Sequence, residues 1–457
     1  MAEKRKKIGI GLLGSGVVGQ AVQDFVFADA AEGGEPPLEI VKIYTRQPKG
    51  KKWHKTHSSL FTSKPEEVVD HPDAAIIVEA LGFHEEKELA GFKDLILRAL
   101  KNGKAVVTSD KAVLARYGAE IWEAARKHGG EVRFEACVGG GVPIIRSISE
   151  SFAAEEPEAI YGIVNGTSNY ILSEMSRGGK SYDAALKEAQ AKGYAETNPS
   201  ADTSGRDAEA KLILLAAVTF GLQARPGAFW RKGIEEINAV DFQYAARKGR
   251  STIKSVAVAK TDGGSVQAYV SPVLVREDHF LAAIDGATNA IFFKGRRSGD
   301  SGRDWSYAFA GPGAGGGPTA IAILGDVLDL ARGKMPRGGF VPLVKSGALS
   351  IQAEDKITTG FYIRFIVKDR AGIVGDICQT LGEAGINISE IWQLTHSRDE
   401  LRALAASCRI AGDPESILPF VITLERSSIG QIKNAMKVIG RRDYMLAEPL
   451  WFPIWND

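Results

Sequence analysis

The segment Ile8-Gly9-Ile10-Gly11-Leu12-Leu13-Gly14-Ser15-Gly16-Val17-Val18-Gly19 decides the fold of the amino-terminal region. Its apolar first half is typical of a buried parallel strand, and its second half has the spacing Gly-x-Gly-x-x-Gly before a helix. In such a turn the first glycine permits a tight bend, the second admits a pyrophosphate, and the third lets helix pack on strand. The segment therefore predicts a dinucleotide site; a glycine-rich turn without a ligand is the weaker alternative.

Bulk composition excludes several classes of protein. With 457 residues, 44% hydrophobic and 25% charged, the chain is expected to form two or three globular domains. A net charge of +1 gives no reason to expect nucleic acid. The basic residues 3–7 precede no signal-peptide core, and the longest apolar stretch, 212–222, is too short for a bilayer. The three cysteines (Cys137, Cys378 and Cys408) have neither disulfide nor metal spacing. We expect a cytoplasmic protein without a membrane partner.

Strands that alternate with helices predict a parallel sheet in the first part of the chain. The predicted strands are 38–44, 74–80, 105–108 and 132–136, and the predicted helices between them include 85–100 and 112–127. Ligands bind at the carboxyl ends of such strands. The candidates at that edge, besides the glycine turn, are Arg46, Leu81, Ser109 and Lys111.

Arg46 bears on the choice of cofactor. A site selective for NAD usually has Asp or Glu at the end of the second strand, where it binds the ribose 2′-hydroxyl. This chain has Arg46, followed by Lys49, Lys51 and Lys52. Arginine suits a 2′-phosphate, so the sequence predicts NADP, with NAD as the second possibility. A solvated basic loop is the alternative interpretation.

The pattern of predicted strands and helices changes near residue 151. A strand at 160–164 leads into the polar turn Asn165–Tyr170, where Ser168 and Asn169 are candidates to cap the next helix. Further predictions are a helix at 182–192, antiparallel strands at 251–259, 266–274 and 290–294, and a helix at 319–331 after the glycine-rich run 311–319.

The segment Asn198–Lys211 carries the densest group of charged candidates. If the chain is helical from Arg206, Asp207 and Lys211 lie four residues apart on one face. Such a pair is more often a surface ion pair, but the apolar run after Lys211 also suits a proton donor in a cleft. Glu209 is predicted to be a solvated helix residue.

The sequence pattern of the carboxyl-terminal part predicts elements in the order β-α-β-β-α. Its strands are predicted at 361–367, 389–394 and 420–424, and its second helix at 428–439. Residues 395–417 are longer and more charged than this pattern requires, and the sequence assigns them no role.

Together these segments resemble homoserine dehydrogenase of the long form with a carboxyl-terminal ACT regulatory domain. The resemblance covers about residues 8–440 and rests on 107–111, 134–145, 165–170, 193–196, Asp202, 205–211 and 311–319. Two departures are Ser109-Asp110, where Ala-Asn is more usual, and Ala371, where the ACT motif usually has proline.

The resemblance implies an α/β protein in three parts. These are a Rossmann-type parallel-sheet nucleotide domain (1–150, with 311–340 packing back on it), an α+β catalytic and dimerisation domain (151–310), and a ferredoxin-like ACT domain (355–440) before a tail (441–457). The implied reaction is the reversible NAD(P)H-dependent reduction of L-aspartate 4-semialdehyde to L-homoserine, in threonine and methionine biosynthesis.

The resemblance also implies roles for individual residues. Lys211 matches the proton donor, Lys111 a second lysine beside the cofactor, and Asp207 an acid that orients a lysine or the substrate. The implied substrate residues are Glu196, Asp202, Tyr194, Gly166 and Thr167, and Gly313 joins the cofactor residues. A monovalent cation, usually sodium, is implied on the backbone of Glu135, Val138, Gly140 and Val142. Pairing of ACT domains implies a homodimer or homotetramer, with threonine as effector near Asp369, Gly372, Asn387 and Ile388.

Two other functions remain open from the sequence. A phosphorylating aspartate-semialdehyde dehydrogenase would need a cysteine nucleophile with a histidine base, and Cys137 is its only candidate in the catalytic portion. A non-catalytic ACT-type amino-acid sensor would not need the lysines and acids described above. The ACT domain itself has a plainer alternative, a role in dimerisation alone.

Overall fold

The computed structural model describes residues 7–32, 38–82, 86–247, 249–296, 305–333, 349–411 and 413–455. Several sequence predictions extend outside these described residues. They include the basic residues 3–6, the helix start at 85, residues 248 and 297–304 of the predicted catalytic domain, the last part (334–340) of the returning segment, residue 412 and the last two residues of the tail.

The strands of the described part are named in chain order. They are β1 (Ile8–Leu13), β2 (Leu38–Tyr44), β3 (Phe61–Thr62), β4 (Ala74–Glu79), β5 (Ala105–Thr108), β6 (Val132–Arg133), β7 (Pro157–Ile163), β8 (Trp230–Arg231), β9 (Ser251–Asp262), β10 (Ser265–Arg276), β11 (Thr288–Gly295), β12 (Trp305–Pro312), β13 (Ser350–Ile351), β14 (Thr358–Lys368), β15 (Ile388–Trp392), β16 (Ile417–Ser428) and β17 (Leu450–Ile454).

The helices are named in the same way. They are α1 (Val17–Glu32), α2 (Pro65–Val69), α3 (Glu86–Lys101), α4 (Lys111–His128), α5 (Ile144–Arg146), α6 (Gly166–Gly178), α7 (Tyr182–Ala191), α8 (Ser200–Thr203), α9 (Arg206–Phe220), α10 (Ala239–Arg247), α11 (Gly316–Ala331), α12 (Ile373–Glu383), α13 (Arg398–Ser407) and α14 (Ile429–Ile439).

The chain divides into two compact units. The first takes its described residues from 1–160, 210–228 and 289–349, and the second from 161–209, 229–288 and 350–457. Helix α9 begins in the second unit and continues into the first.

The first unit contains a parallel sheet in the order β3-β2-β1-β4-β5-β6. Strands β1, β4 and β5 are almost wholly buried, as expected when helices cover both faces of a parallel sheet. The Rossmann-type prediction is confirmed, and β2 and β5 have the predicted bounds. The predicted strand 132–136 is wrong in its second half, because residues Glu135–Cys137 form a 3₁₀ turn.

The second unit contains a mixed sheet that includes the order β9-β10-β17-β14-β16-β15. Strands β9 and β10 form a long antiparallel hairpin, and β14, β16 and β15 are antiparallel with helices α12 and α14 in the ACT order. The α+β and ACT predictions are thereby confirmed. Strand β17, predicted only as part of a tail, pairs with both β10 and β14.

The segment 395–417, which had no predicted role, contains helix α13. Asn238 donates its side-chain N–H to Ser407 Oγ at 2.5 Å, and Gln243 donates to Glu400 Oε1 at 2.7 Å. These contacts lie at the two ends of α13 and reach the start and middle of α10. Through these two hydrogen bonds, segment 395–417 connects the ACT part to the remainder of its unit.

A buried ion pair makes the same connection from the sheet. Arg364 on β14 binds Asp241 on α10, and Tyr362 OH donates to the same carboxylate at 2.8 Å. Asp241 also accepts the Asn238 main-chain N–H at 2.7 Å, so the carboxylate is well supplied with donors. Within the described ranges, no helix has both the length and the apolar character required to cross a bilayer.

Candidate active site

The glycine turn has the geometry that a dinucleotide requires. Gly14 has φ +115°, and a Cβ there would lie 2.4 Å from the Ala80 carbonyl oxygen. A Cβ on Gly19 would lie 2.2 Å from the Gly14 carbonyl oxygen, whereas one on Gly16 would meet no atom within 4 Å. Val17, the first residue of α1, is 77% exposed. The first and third glycines are thus required by packing, and the second leaves open space at the helix terminus for a pyrophosphate.

The glycine-rich run that follows β12 packs on this region of the first unit. A Cβ on Gly316 would lie 2.9 Å from Val17 Cγ1, and a Cβ on Gly140 would lie 2.7 Å from the Gly313 carbonyl carbon. Gly313 itself has no room for a side chain beside Asn289. The predicted cofactor residue Gly313 therefore lies in a close backbone contact.

A carboxylate that the sequence reasoning missed organises the strand ends. Glu79, the last residue of β4, is fully buried. It accepts the Leu81 main-chain N–H at 2.8 Å and the Thr108 hydroxyl at 2.5 Å. Thr108 Oγ1 in turn accepts the Asp110 main-chain N–H at 2.9 Å. The available signal was a single acid in an otherwise apolar strand, Ala74–Glu79.

Asp110, a departure from the family pattern, caps helix α4. Its Oδ1 accepts the Ala112 and Val113 main-chain N–H groups at 2.8 and 3.2 Å, so it fixes the turn from which Lys111 starts the helix. Burial, and then the charge of Asp110, raise the pKa of Glu79 to about 8. This shift favours the protonated form of Glu79 near neutral pH.

Arg46 lies just beyond β2 with an exposed side chain that pairs with Glu88 on α3. Residues that follow Arg46 along the chain, among them Lys49, His54 and Lys64, line a cavity of about 690 Å³. These three residues give the surroundings of Arg46 a basic character. The Arg46 guanidinium, however, already forms an ion pair with Glu88.

The residues implied for a monovalent cation fit that group. Glu135, Val138, Gly140 and Val142 are all buried in the first unit, and their carbonyls are the hard oxygen donors that such a cation takes. The Val142 carbonyl accepts the Ile144 N–H at 2.9 Å, which leaves its second lone pair for a cation.

The carboxylate of Glu135, unlike its carbonyl, binds main-chain N–H groups of α5. It accepts the main-chain N–H groups of Ile145 and Arg146 at 2.9 and 2.8 Å, and burial, followed by the charge of Asp326, raises its pKa to about 7.

Asn165 joins two of the predicted substrate acids in the second unit. Its Nδ2 donates to Asp202 Oδ1 at 2.7 Å and to Asp207 Oδ2 at 2.8 Å. Its Oδ1 accepts the Ser168 N–H at 2.8 Å and caps α6. The prediction that Ser168 or Asn169 caps this helix is wrong, because α6 begins at Gly166.

Asn169 has a different position from the one predicted. It is buried, and its Nδ2 donates to the carbonyls of Ile284, Gly286 and Thr288 at 3.0–3.3 Å. It therefore holds the loop before β11 against α6.

Helix α9 carries the predicted proton donor. Asp207 is half-buried in the first turn, and Lys211, one turn later, is only 9% exposed. The prediction for Glu209 is wrong: it is 2% exposed and accepts from Arg231 Nη1 at 2.8 Å. Because α9 is buried on most of its surface, an acid on its inner side needs a charged partner.

The other predicted substrate residues lie around the start of α6 and the segment after α7. Thr167 Oγ1 donates to the Tyr194 carbonyl at 2.7 Å, and a Cβ on Gly166 would lie 2.7 Å from the Ala287 carbonyl oxygen. Tyr194 and Glu196 are exposed, and Gln190 Nε2 donates a hydrogen bond to the Glu196 carbonyl at 3.1 Å.

The predicted effector residues lie at two turns of the ACT part. Gly372 has φ +88° and precedes α12, and Asp369 donates its main-chain N–H to the Ser416 carbonyl at 2.9 Å. Asn387 donates to Glu425 at 3.3 Å just before Ile388 starts β15. All except the partly buried Ile388 are exposed.

Comparison with known proteins agrees with this geometry. Residues 14–135 match the model of the homoserine dehydrogenase NAD-binding domain, 143–328 that of homoserine dehydrogenase, and 361–441 that of the ACT domain. The homoserine dehydrogenase of Synechocystis is 34% identical over 445 residues, covering 94% of this chain and 99% of the relative. The homoserine dehydrogenase of Pseudomonas aeruginosa is 33% identical over 446 residues and covers 95% of each chain.

The chain belongs to the homoserine dehydrogenase family.

A solved homoserine dehydrogenase from Thiobacillus denitrificans has a TM-score of 0.83 and 31% identity, and the match covers 99% of each chain. The S. aureus homoserine dehydrogenase, at 24% identity and a TM-score of 0.72, shares the fold. The chain is thus an oxidoreductase of amino-acid biosynthesis with a domain for a nicotinamide cofactor and an ACT domain.

The alternative functions have no support in the site. Cys137 is buried, donates to the Thr108 carbonyl at 3.3 Å, and has a pKa well above the usual value for a thiol because of burial. A thiol nucleophile needs the opposite shift. Membership of the homoserine dehydrogenase family does not favour an amino-acid sensor without catalysis.

We predict that Glu79→Gln makes stability less dependent on pH. The folded chain keeps a proton on Glu79 between the ordinary pKa of 4.5 and about 8, so the stabilisation is complete below pH 4.5 and is lost as the pH rises towards 8. The variant side chain is neutral throughout, so its stability relative to the wild type should rise across this interval in urea unfolding. Glu123→Gln, at an exposed position of α4, is the control. Parallel pH profiles for Glu79→Gln and the wild type would contradict the proposed burial of a proton.

Proposed function

We propose that the chain reduces L-aspartate 4-semialdehyde to L-homoserine reversibly, with NADP preferred over NAD, a sodium ion bound, and threonine as feedback effector. The observation that carries the proposal is the arrangement of two carboxylates on one amide, Asp202 and Asp207 on Asn165, one helical turn before the buried Lys211.

The acids of the second unit are suited to the substrate ammonium. The Asn165 amide donates one hydrogen bond to each carboxylate and itself brings no positive charge to Asp202 and Asp207. Glu196 extends the same acidic region from an exposed position. Thr167, Tyr194 and Gly166 shape the turn beside these acids.

Lys211 is suited to deliver the proton. Its side chain is buried, and its place one turn after Asp207 on α9 puts the ammonium on the same face as a carboxylate that can orient it. When bound, the reduced nicotinamide supplies the hydride. Lys111, held at the start of α4 by Asp110, is assigned to the cofactor side, where it polarises the carbonyl oxygen or contacts the nicotinamide.

We predict that Lys211→Ala lowers kcat by about 100-fold or more, which is the usual contribution of a positioned general acid. NADPH binding, measured by fluorescence titration, should be retained because the glycine turn is untouched. Arg206→Ala, at an exposed position on the same helix, is the matched control and should keep its turnover. Near-normal turnover of Lys211→Ala would remove the role assigned to this lysine.

Preference for NADP rests on Arg46 and on the basic residues Lys49, Lys51 and Lys52. Arginine binds a phosphate through two parallel hydrogen bonds, which a ribose hydroxyl does not match. Glu88 competes with the phosphate for the same guanidinium.

We predict that Arg46→Ala reduces kcat/KM for NADPH about tenfold relative to that for NADH, because one charge-assisted contact is lost. Glu88→Gln should change the ratio in the opposite direction, since it frees the guanidinium. The two ratios are measured by steady-state kinetics. An unchanged ratio in Arg46→Ala would mean that the 2′-phosphate is bound elsewhere.

Feedback by threonine is assigned to the ACT turns at Asp369, Gly372, Asn387 and Ile388. Strand β15 is the edge of its sheet order and exposes Ile391, which suits pairing of ACT domains in a homodimer or homotetramer. The three cysteines are free, which suits a cytoplasmic location.

We predict that threonine inhibits homoserine oxidation and that Asn387→Ala weakens the inhibition severalfold, because the side chain lies at the proposed effector turn. Initial rates at a series of threonine concentrations give the inhibition constant. Lys437→Ala, exposed on α14, should behave as the wild type. Equal inhibition of Asn387→Ala and wild type would place the effector at another site.

A further inference from the structure

The turn that follows α7 is bound by its main chain to the end of that helix. The Ala189 carbonyl accepts the main-chain N–H groups of Tyr194 and Ala195 at 2.9 and 3.2 Å. Gly193 has φ +74°, a left-handed conformation typical of a helix end, and donates its N–H to the Gln190 carbonyl at 3.0 Å. The first part of the turn is therefore fixed to the last residues of α7.

The Gln190 side chain extends this attachment to the part of the turn that bears Glu196. Its Nε2 donates to the Glu196 carbonyl at 3.1 Å and to the Thr197 carbonyl at 3.4 Å. One amide NH₂ group can serve two carbonyls because it carries two hydrogens. Both hydrogen bonds go to the main chain, so Gln190 takes neither carboxylate oxygen of Glu196.

Helix α7 is in turn fixed to α6, whose first turn carries other proposed substrate residues. Ala185 and Ala189 on α7 are fully buried in the same apolar core as residues of α6. Tyr170 on α6 donates its hydroxyl to Glu188 Oε1 on α7 at 2.8 Å. The end of α7 therefore has a defined position relative to Thr167 in the first turn of α6.

We propose that Gln190 is a positioning residue that holds the main chain of Glu196 where the Glu196 carboxylate meets the substrate ammonium. The proposal rests on the proposed function, in which Glu196 binds that ammonium. Gln190 acts through Glu196 and not on the reacting atoms. An interaction of this kind contributes equally to the bound substrate and to the transition state, so its loss changes affinity and not turnover.

Steady-state oxidation of L-homoserine tests this role. Gln190→Ala should raise the KM for homoserine about fivefold, the usual effect of losing a neutral hydrogen bond, while kcat and the KM for NADP change by less than about twofold. Gln190→Glu, which presents acceptors to the two carbonyls, should raise the KM at least as much. Gln190→Lys retains an N–H donor and should keep most of the affinity.

The control is Lys187→Ala, at an exposed position of the same helix, which should have the kinetic constants of the wild type. An unchanged KM for homoserine in Gln190→Ala would overturn the proposal. A fall in kcat without a change in KM would overturn it as well, because the residue would then act on the chemical step.

A double-variant cycle shows whether Gln190 acts through Glu196. Glu196→Gln removes the carboxylate, so the addition of Gln190→Ala to this variant should leave its KM for homoserine unchanged. If Gln190→Ala raised the KM equally in both backgrounds, the two residues would act independently and the proposal would be wrong.

Hydrogen exchange gives a readout that needs no turnover. In the full chain, the amides of residues 192–198 should exchange severalfold faster in Gln190→Ala than in the wild type or in Lys187→Ala, because the turn opens more often. Equal exchange would overturn the attachment of the turn. A wild-type chain that failed to oxidise homoserine would refute the proposed function, and exchange would still decide whether Gln190 holds the turn.

Discussion

The buried ion pair between Arg364 and Asp241 fixes how the ACT part is joined to its unit. Burying two charges costs several kcal/mol per ion, and Tyr362, the Asn238 N–H and the Glu236 carbonyl offset part of this cost with further hydrogen bonds to the pair. Breaking such a pair typically costs about 3–5 kcal/mol. Strand β14 therefore cannot slide along α10 without leaving a charge unpaired, and the relative register of these two elements is tightly determined.

Strand β17 adds a second connection of a different kind. It pairs antiparallel with β14 over Leu450–Ile454 and reaches β10 at Leu274, where the Trp455 N–H donates to the Leu274 carbonyl at 2.8 Å. The hydrogen-bonded order from β9 to β15 thus includes both the long hairpin and the ACT strands. A displacement of β14 would therefore disturb the main-chain hydrogen bonds of β17, which also pairs with β10.

Local patterns predicted the elements that local forces determine. The apolar run of β5 and the glycine turn were sufficient to place those elements, because burial on both faces of β5 leaves a continuous apolar signal. Strand β2 was placed although Glu39 and Lys42 interrupt its apolar residues. Strand β17 was missed since five residues that contain Pro453 have little strand character. The roles of Glu79, Asn165 and Glu209 depend on partners far along the chain, at Thr108, Asp202 and Arg231, and periodicity carries no information about such pairs.

Those distant partners also separate the acids into two chemical groups. Glu79 is buried beside Asp110, and its raised pKa favours the neutral form that holds the strand ends by hydrogen bonds. Asp202 and Asp207 instead share the neutral amide of Asn165, which satisfies one oxygen of each carboxylate. A lysine or arginine at position 165 would instead add a positive charge beside the same two carboxylates. The amide therefore holds the two carboxylates in place without adding a charge of its own.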